Sequence, residues 1–300
     1  MTQVAVIINP AAGGGRAGRC RHRLEKDLGR SGLGFTTIIT RDETHMRRQI
    51  HACAERCAWL LIVGGDTSFR IAATELLLQS GKRKELPSLA FFGAGSANDV
   101  VHALGIRGSR HLCELIRDDR VGRMDVGWVR TESPREEHLF LGSMSLGLGV
   151  RVNREMARTR GQSGRPVAAW IPGAAALRRA FAGNELPMRL TVNGRSGRYS
   201  LVAVMNGPRY AGGLRIAPDA SVFDHRLDLV LLSTRGWPGT MVAAAGVVAG
   251  RRLPVETADE WRIEAENRFS IQVDGDVFPS GKSCTVGVHA AALKVAAARG

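Results

Sequence analysis

Apolar residues in the first hundred positions come in short unbroken runs, and each run opens into a glycine-rich turn. Val4–Ile8, Leu60–Val63 and Leu89–Phe92 are continuous apolar stretches. A strand buried on both faces of a parallel sheet reads this way, whereas a half-exposed strand alternates. The runs open into Asn9-Pro10-Ala11-Ala12-Gly13-Gly14-Gly15-Arg16, Gly64-Gly65-Asp66-Thr67-Ser68 and Gly93-Ala94-Gly95-Ser96-Ala97-Asn98-Asp99. Helical patterns follow: a basic one to about Leu28, an apolar one from Phe69 to Leu78, and Val100 to Leu104, which Gly105 stops. Phe35–Thr40, rich in Thr and Ile, predicts a further strand, and Asp42 caps a helix reaching about Ala58. Strand, glycine-rich turn and helix in repetition predict a parallel sheet with helices on both faces. The turns would leave the same sheet edge, so that Asn9, Asp66 and Asp99 converge on one crevice, the place where open α/β sheets bind ligands.

After about Asp125 the texture changes. Leu139–Met144, Met188–Val192, Tyr199–Met205, Leu227–Leu232, Phe269–Val273, Thr285–His289 and Leu293–Val295 are short strand-like runs separated by turns such as Asn193-Gly194. They predict an antiparallel sandwich or half-barrel. One helical segment, about Val167 to Phe181, carries Trp170, Ala174, Leu177 and Phe181 on one stripe. Arg151, Arg154, Arg158, Arg160 and Arg165 lead into it, suiting either a solvated charged face or a basic membrane-facing patch.

The glycine turns set the candidate chemistry. Glycines let the backbone approach a phosphate closely, and a helix start adds unpaired N–H groups with a positive dipole end. Asp66 then sits where it could hold a metal or a hydroxyl. A Gly-Gly-Asp alone is also an ordinary structural turn. Near the carboxyl end, Asp274-Gly275-Asp276 is expected to place two acids on one side of an extended chain, for a cation or for base chemistry. No Walker loop, nucleophile elbow, His-Glu-x-x-His helix or Cys-x-x-Cys pair is present.

Charge narrows the partners. Lys and Arg number 42 against 28 Asp and Glu, a net +14 in 300 residues, which suits an anionic partner. Aromatics make up only 5% and do not interleave with the basic residues, so a specific nucleic-acid interface is not expected. Five cysteines form no disulfide framework, and Cys53 and Cys57 read as reduced thiols of the preceding helix. No apolar stretch reaches the ~20 residues of a bilayer span, and Met241–Ala249 is among the longest. A cytoplasmic protein is expected, with peripheral contact at the inner membrane face.

Laid side by side, the turns resemble those of the diacylglycerol kinase catalytic-domain family of lipid kinases, over nearly the full length. Asn9-Pro10 with Gly13-Gly14 looks like its first nucleotide loop. Gly64-Gly65-Asp66 looks like the start of its Gly-Gly-Asp-Gly-Thr signature, and Gly95-Ser96-Ala97-Asn98-Asp99 is similar to its Gly-Thr-Ala-Asn-Asp motif. Asn206-Gly207, Gly212-Gly213 and Ile216–Ala220 resemble the approach to its structural metal loop, usually Asp-Gly-Leu-Leu-Asp and here Asp224-His225-Arg226-Leu227-Asp228. Asp274-Gly275-Asp276 corresponds to its Asp-Gly-Glu.

The resemblance implies a Rossmann-like α/β nucleotide domain over residues 1–126, rejoined by a strand at about 285–300. It implies a β-sandwich substrate domain over 127–284, with a cleft between the two. It implies ATP at Asn9, Gly64, Gly65, Asp66, Thr67, Ser68, Gly95, Ser96 and Asn98, and Mg²⁺ with its waters at Asp66, Asp99 and Asp276. Asp224 would hold the structural metal, and Asp274 would be the general base on a lipid hydroxyl. A divergent member that binds nucleotide or lipid with little or no transfer is one alternative. A nucleic-acid-binding regulator, which the charge alone would allow, is another from a different class, and a homodimer is left open. Two departures fall on the chemistry. Thr67 stands for the fourth glycine of the signature and is expected to strain or crowd the phosphate turn. Arg70 and Ile71 stand for the usual Asn and Glu, and Arg70 could grip a phosphate instead.

Overall fold

The computed structural model describes residues 3–81, 85–95, 97–160, 178–179, 187–234 and 236–298. The chain forms two compact units. One comprises Met1–Val126, Ser221–His225 and His289–Gly300, the other Gly127–Ala220 and Arg226–Val288.

In the first unit the apolar runs are strands of one parallel sheet: β1 (Gln3–Ile8), β2 (Gly34–Ile39), β3 (Trp59–Gly64) and β4 (Ser88–Gly93). Their order is β4-β3-β1-β2, with Ile7 opposite both Ile38 and Ile62, and Leu61 opposite Ala90. Val4–Ile8 and Trp59–Val63 are almost wholly buried, as two-sided coverage by helices requires. The helices are α1 (Ala12–Arg30), α2 (Glu43–Ala54), α3 (Asp66–Leu77), α4 (Asp99–Ala103) and α5 (Ser109–Arg117). Asp42 caps α2 by accepting the His45 N–H at 2.7 Å, and Cys57 falls beyond the helix end. The last strand of the chain returns to this sheet, pairing Val295 in parallel with Leu89.

The second unit is antiparallel. Its main path runs β12 (Val255–Ala258), β11 (Leu227–Leu232), β10 (Leu201–Met205), β7 (Ser143–Gly147), β13 (Glu260–Val273) and β14 (Asp276–Ala296). The hairpin of β8 (Met188–Val192) and β9 (Arg195–Tyr199) joins β13, and β5 (Val121–Thr131) pairs with β6 (Glu137–Phe140). Phe140, Met144, Val204, Leu229, Trp261, Ile271 and Val286 share one core. A second cluster, with Ala203, Met205, Tyr210 and Val230, takes in Val247 of α7 (Gly236–Val248). α6 (Leu148–Arg160) follows β7 directly. Among the described residues no helix is long and apolar enough to cross a membrane.

Three sequence expectations change. Leu139–Met144 is not one strand, because Leu141-Gly142 break it into β6 and β7. Tyr199–Met205 likewise divides at Ser200 into β9 and β10. Thr285–His289 and Leu293–Val295 belong to the single strand β14, which passes Ala291 with a positive φ of 50°. The helical segment expected at Val167–Phe181 lies, apart from 178–179, outside the described residues.

Candidate active site

In the first unit the three glycine-rich turns meet. Asn9 follows β1, its N–H donating to Val63 O at 3.0 Å and its Nδ2 to Ser68 Oγ at 3.3 Å. Its Oδ1 accepts the Ala11 N–H at 3.2 Å, an Asx turn that swings the chain into Gly13–Gly15. All three of those glycines have positive φ. At Gly13 a Cβ would stand 1.8 Å from Ala94 O, so nothing larger fits there. The turns after β3 and β4 touch backbone to backbone: the Ala94 and Gly95 N–H groups both donate to Gly64 O, at 2.7 and 3.1 Å. A Cβ on Gly95 would approach the Gly65 Cα to 2.7 Å. Arg16 spans the gap, Nη2 donating to Gly95 O at 2.5 Å and Nε to Gly13 O at 3.2 Å.

Asn98 turns the third loop. It adopts left-handed backbone (φ 56°), its Oδ1 accepts the Gly95 N–H at 2.8 Å and its Nδ2 donates to Gly95 O at 3.0 Å. Asp99 opens α4, and the Val100 N–H lies 3.5 Å from Asp66 Oδ1. Asn9, Asp66, Ser68, Gly95, Asn98 and Asp99 are therefore neighbours on one crevice. Ser96 lies outside the described residues.

The backbone strain expected at Thr67 is absent. Asp66 is the first residue of α3 and Thr67 the second, so its backbone is helical and needs no positive φ. Its side chain is exposed, while Ser68 is buried against Asn9. The signature's fourth position is here the first turn of a helix, where a β-branched residue is tolerated at little cost. Arg70, one turn on, is half-buried.

In the second unit Asp274 occupies a tight hairpin. Val273 and Asp276 are paired across β13 and β14, and Asp274 (φ 45°) and Gly275 (φ 97°) are the two turn residues. Positive φ at both is the two-residue hairpin turn that Asp-Gly favours. Asp274 and Asp276 are thus not alternate residues of an extended strand, and the shared side inferred from strand geometry does not hold. The Asp274 carboxylate accepts three backbone N–H groups, from Leu141 at 2.7 Å, Gly142 at 2.9 Å and Ser143 at 3.0 Å. Its own N–H donates to Ser143 O at 3.0 Å. Buried Asn206 braces the same loop, Nδ2 donating to Leu141 O at 2.8 Å and N–H to Gly142 O at 2.9 Å. On the other side Asn153 of α6 donates to Gly275 O.

Beside α6 opens a cavity of about 940 Å³, whose lining includes Arg151, Arg154, Arg189 and Arg268 with Met188 and Phe269. Arg154 is held by Ser270 Oγ and Arg268 by Ser133 Oγ, both at 2.8 Å. Sequence reasoning noted Arg151 and Arg154 as basic residues but singled out neither Asn153 nor Arg268, whose partners Gly275 and Ser133 lie more than a hundred residues away. Burial pushes the Tyr210 hydroxyl up to about 12, so beside Ser145 Oγ at 2.9 Å it serves as a hydrogen-bonding group and not a base.

The acids differ in their fitness for metal. Among the described residues no group of three or more His, Cys, Asp or Glu gathers as a cation site. Asp66 and Asp99 are hard oxygen donors on the crevice, and Mg²⁺ ordinarily takes one or two carboxylates, substrate phosphates and waters. They fit such an ion. The Asp224 loop is built differently. His225 has a positive φ of 66° and turns its ring onto buried Asp125, Nδ1 lying 2.8 Å from Oδ1, while its N–H donates to Oδ2 at 2.7 Å. Asp125 Oδ1 also accepts the Ala291 N–H at 2.7 Å. This hydrogen bond to Asp125 raises the His225 pKa. Asp228 is buried on β11 and takes the Thr257 hydroxyl at 2.7 Å. Asp125 is thus satisfied by the protein's own groups, and among the described residues no group of three or more His, Cys, Asp or Glu gathers with Asp224.

Comparison with known proteins agrees with this architecture. Residues 3–129 match the diacylglycerol kinase catalytic domain, and residues 142–297 match the YegS C-terminal NAD kinase beta sandwich-like domain. The chain is 25% identical to a Pseudomonas aeruginosa (strain UCBPP-PA14) protein named "Probable lipid kinase YegS-like", over 98% of this chain and 93% of that one. It is 25% identical to a Mycobacterium tuberculosis (strain CDC 1551 / Oshkosh) protein named "Diacylglycerol kinase", over 76% and 72%. A solved structure of a diacylglycerol kinase from Bacillus anthracis str. Sterne shares the fold at 18% identity, with a TM-score of 0.70 over 98% of this chain and 96% of that one. With both halves of the chain matched in order, this protein belongs to the diacylglycerol kinase catalytic-domain family of lipid kinases.

Proposed function

We propose that this chain transfers the terminal phosphate of ATP, with Mg²⁺, to a hydroxyl of diacylglycerol or a related lipid at the inner membrane face. The observation that carries the reading is the meeting of three strand-end turns, lined by glycine backbone, on one crevice of the first unit. Phosphoryl transfer asks for positioning and charge neutralisation more than for covalent chemistry. Asn9, Gly64–Ser68, Gly95, Ser96 and Asn98 would hold the phosphates through backbone N–H groups and hydroxyls. Arg16 and Arg70 would add positive charge. Asp66 and Asp99 would hold Mg²⁺, which neutralises the phosphate oxygens when bound, and Asp276 would order water on the acceptor side. Asp274 would take the proton of the attacking hydroxyl. The arginine-lined cavity of the second unit would receive the lipid's polar end.

A second reading has its own observation. The carboxylate assigned as base already accepts three N–H groups, which suits a loop-organising role in a binding protein without transfer. Radiolabelled ATP with Mg²⁺ and a total lipid extract separates the two. Labelled lipid from the wild type and none from Asp274→Asn, with ATP affinity by calorimetry unchanged, supports the kinase. ATP binding without labelled lipid from the wild type supports the second reading.

A further inference from the structure

Helix α7 has an unusual composition. Gly236–Val248 contains no charged residue and reads Gly-Trp-Pro-Gly-Thr-Met-Val-Ala-Ala-Ala-Gly-Val-Val. A helix apolar all round is ordinarily buried all round. This one buries only Thr240 and Val247, the latter in the cluster with Leu201, Ala203 and Val230. The opposite face is open: Val242 is 68% exposed, Val248 65%, Trp237 43% and Met241 38%. Positions 237, 241, 245 and 248 lie on one stripe of a helix, with 238, 242 and 249 beside it. Every residue in both rows is apolar, and all are exposed.

Contiguous exposed apolar surface marks a contact with a membrane or a partner. Charge chooses between them. In sequence the helix is bracketed by Arg235 and Arg251-Arg252, in a chain of net charge +14. Arg251 and Arg252 are exposed just past the helix end. Arg252 pairs with Asp219, but both side chains are about three-quarters exposed, so water screens the pair. Leu214 and Ile216, which flank exposed Arg215, pack into the same cluster as Val247. An apolar stripe with a cationic border matches an anionic bilayer, whose headgroups attract arginine while the acyl boundary takes up Trp and Val. A second copy fits less well, because a two-fold contact would bring the same cationic borders together. The helix is too short to span a bilayer, so it would lie in the interface plane.

We infer that α7 is a membrane-docking element that seats its Trp237–Met241–Val242–Val248 face in the headgroup layer of an anionic bilayer. The inference rests on the lipid-kinase reading only for the identity of the surface, and it deepens that reading by naming the contact. The test uses the full chain without ATP, so docking and transfer are scored separately. Flotation with vesicles of phosphatidylcholine alone, or with added phosphatidylglycerol, should show binding only to the anionic set at low salt. Val242→Asp should weaken that binding about tenfold or more, since a charge replaces exposed apolar surface that docking would remove from water. Its circular dichroism and melting should match the wild type, because the site is on the surface. Emission at Trp237 should shift to the blue on binding, be quenched by brominated acyl chains, and vanish from the difference spectrum of Trp237→Phe. This second readout needs no folding control. Wild-type protein that ignores anionic vesicles, or Val242→Asp that binds them equally, overturns the inference. A Val242→Asp effect confined to oligomeric state overturns it too, and assigns the face to a contact between copies. Docking without kinase activity leaves the inference standing and removes the kinase reading.

Discussion

The crevice of the first unit and the Asp274 turn of the second are built by opposite means. The crevice is main chain against main chain: the turns after β3 and β4 touch through Gly64, Gly65, Ala94 and Gly95, with Arg16 and Asn98 as ties. At the Asp274 turn one side chain organises a loop, its carboxylate gathering the N–H groups of Leu141, Gly142 and Ser143. The first arrangement tolerates no added atom. The second tolerates no lost acceptor.

The sharpest way to break the comparison is Gly13→Ala. With φ at 62° and the new methyl 1.8 Å from Ala94 O, the three turns cannot keep their contact. A loss of about 3 kcal/mol or more in urea unfolding, together with loss of ATP binding, is expected. Unchanged stability would mean that the loops are not packed as described.

Next in size is Asp274→Asn. Its Nδ2 would face the Leu141 N–H, leaving a donor without an acceptor at a cost of about 1–3 kcal/mol. The loss should fall on the second unit, seen as faster amide exchange at 141–143, with exchange at Gly64–Phe69 unchanged. Slower or equal exchange at 141–143 would deny the carboxylate its organising role.

A smaller effect sharpens the contrast between satisfied and poorly satisfied acids. Asp228 sits buried on β11, and desolvation raises its carboxyl pKa above the ordinary value. With the folded pKa above the unfolded one, the ionised form is the costlier form in the fold. The penalty is absent below the ordinary pKa of about 3.9 and appears as pH rises through the raised value. Asp228→Asn keeps an acceptor for the Thr257 hydroxyl. It should therefore raise the melting temperature by about 1–2 °C near neutral pH and leave it unchanged in acid. A gain of equal size at both pH values would assign the effect to something other than ionisation.

The smallest effect is Thr67→Gly. Because Thr67 is exposed in the first turn of α3, the change should leave ATP affinity alone and cost only about 0.3–0.5 kcal/mol in helix propensity. Tighter ATP binding in calorimetry would restore the crowding that the bare signature suggests.

These cases show where sequence is a good guide. Val4–Ile8 and Leu60–Val63 are legible as buried strands because their surroundings impose uninterrupted apolarity. The convergence of their turns follows from parallel topology alone. The pairing of Asp274 with 141–143 is not legible, since it joins positions about 130 residues apart and leaves no periodic trace. The same contact explains why Leu139–Met144 breaks: Leu141 and Gly142 turn out of the ladder to point their N–H groups at a carboxylate. Asp274 and Asp276 misled for a local reason, because Asp-Gly prefers a tight turn to an extended run. Thr67 misled because a motif records residue types and not the backbone state each position needs. His225 illustrates the converse, a substitution in a motif whose meaning, a ring laid on Asp125, required the fold.

The close approach of Gly65 and Gly95 has a consequence for how this protein can change. A surface made of bare main chain offers one fixed pattern of N–H and C=O groups, and substitution at Gly95 cannot retune it, because a Cβ there would stand 2.7 Å from the Gly65 Cα and push the two turns apart. Diversification is therefore channelled to the rim, to Arg16, Thr67 and Arg70, while the floor is held constant by geometry alone. A library aimed at altering what the crevice accepts should vary those three positions and leave the glycines alone.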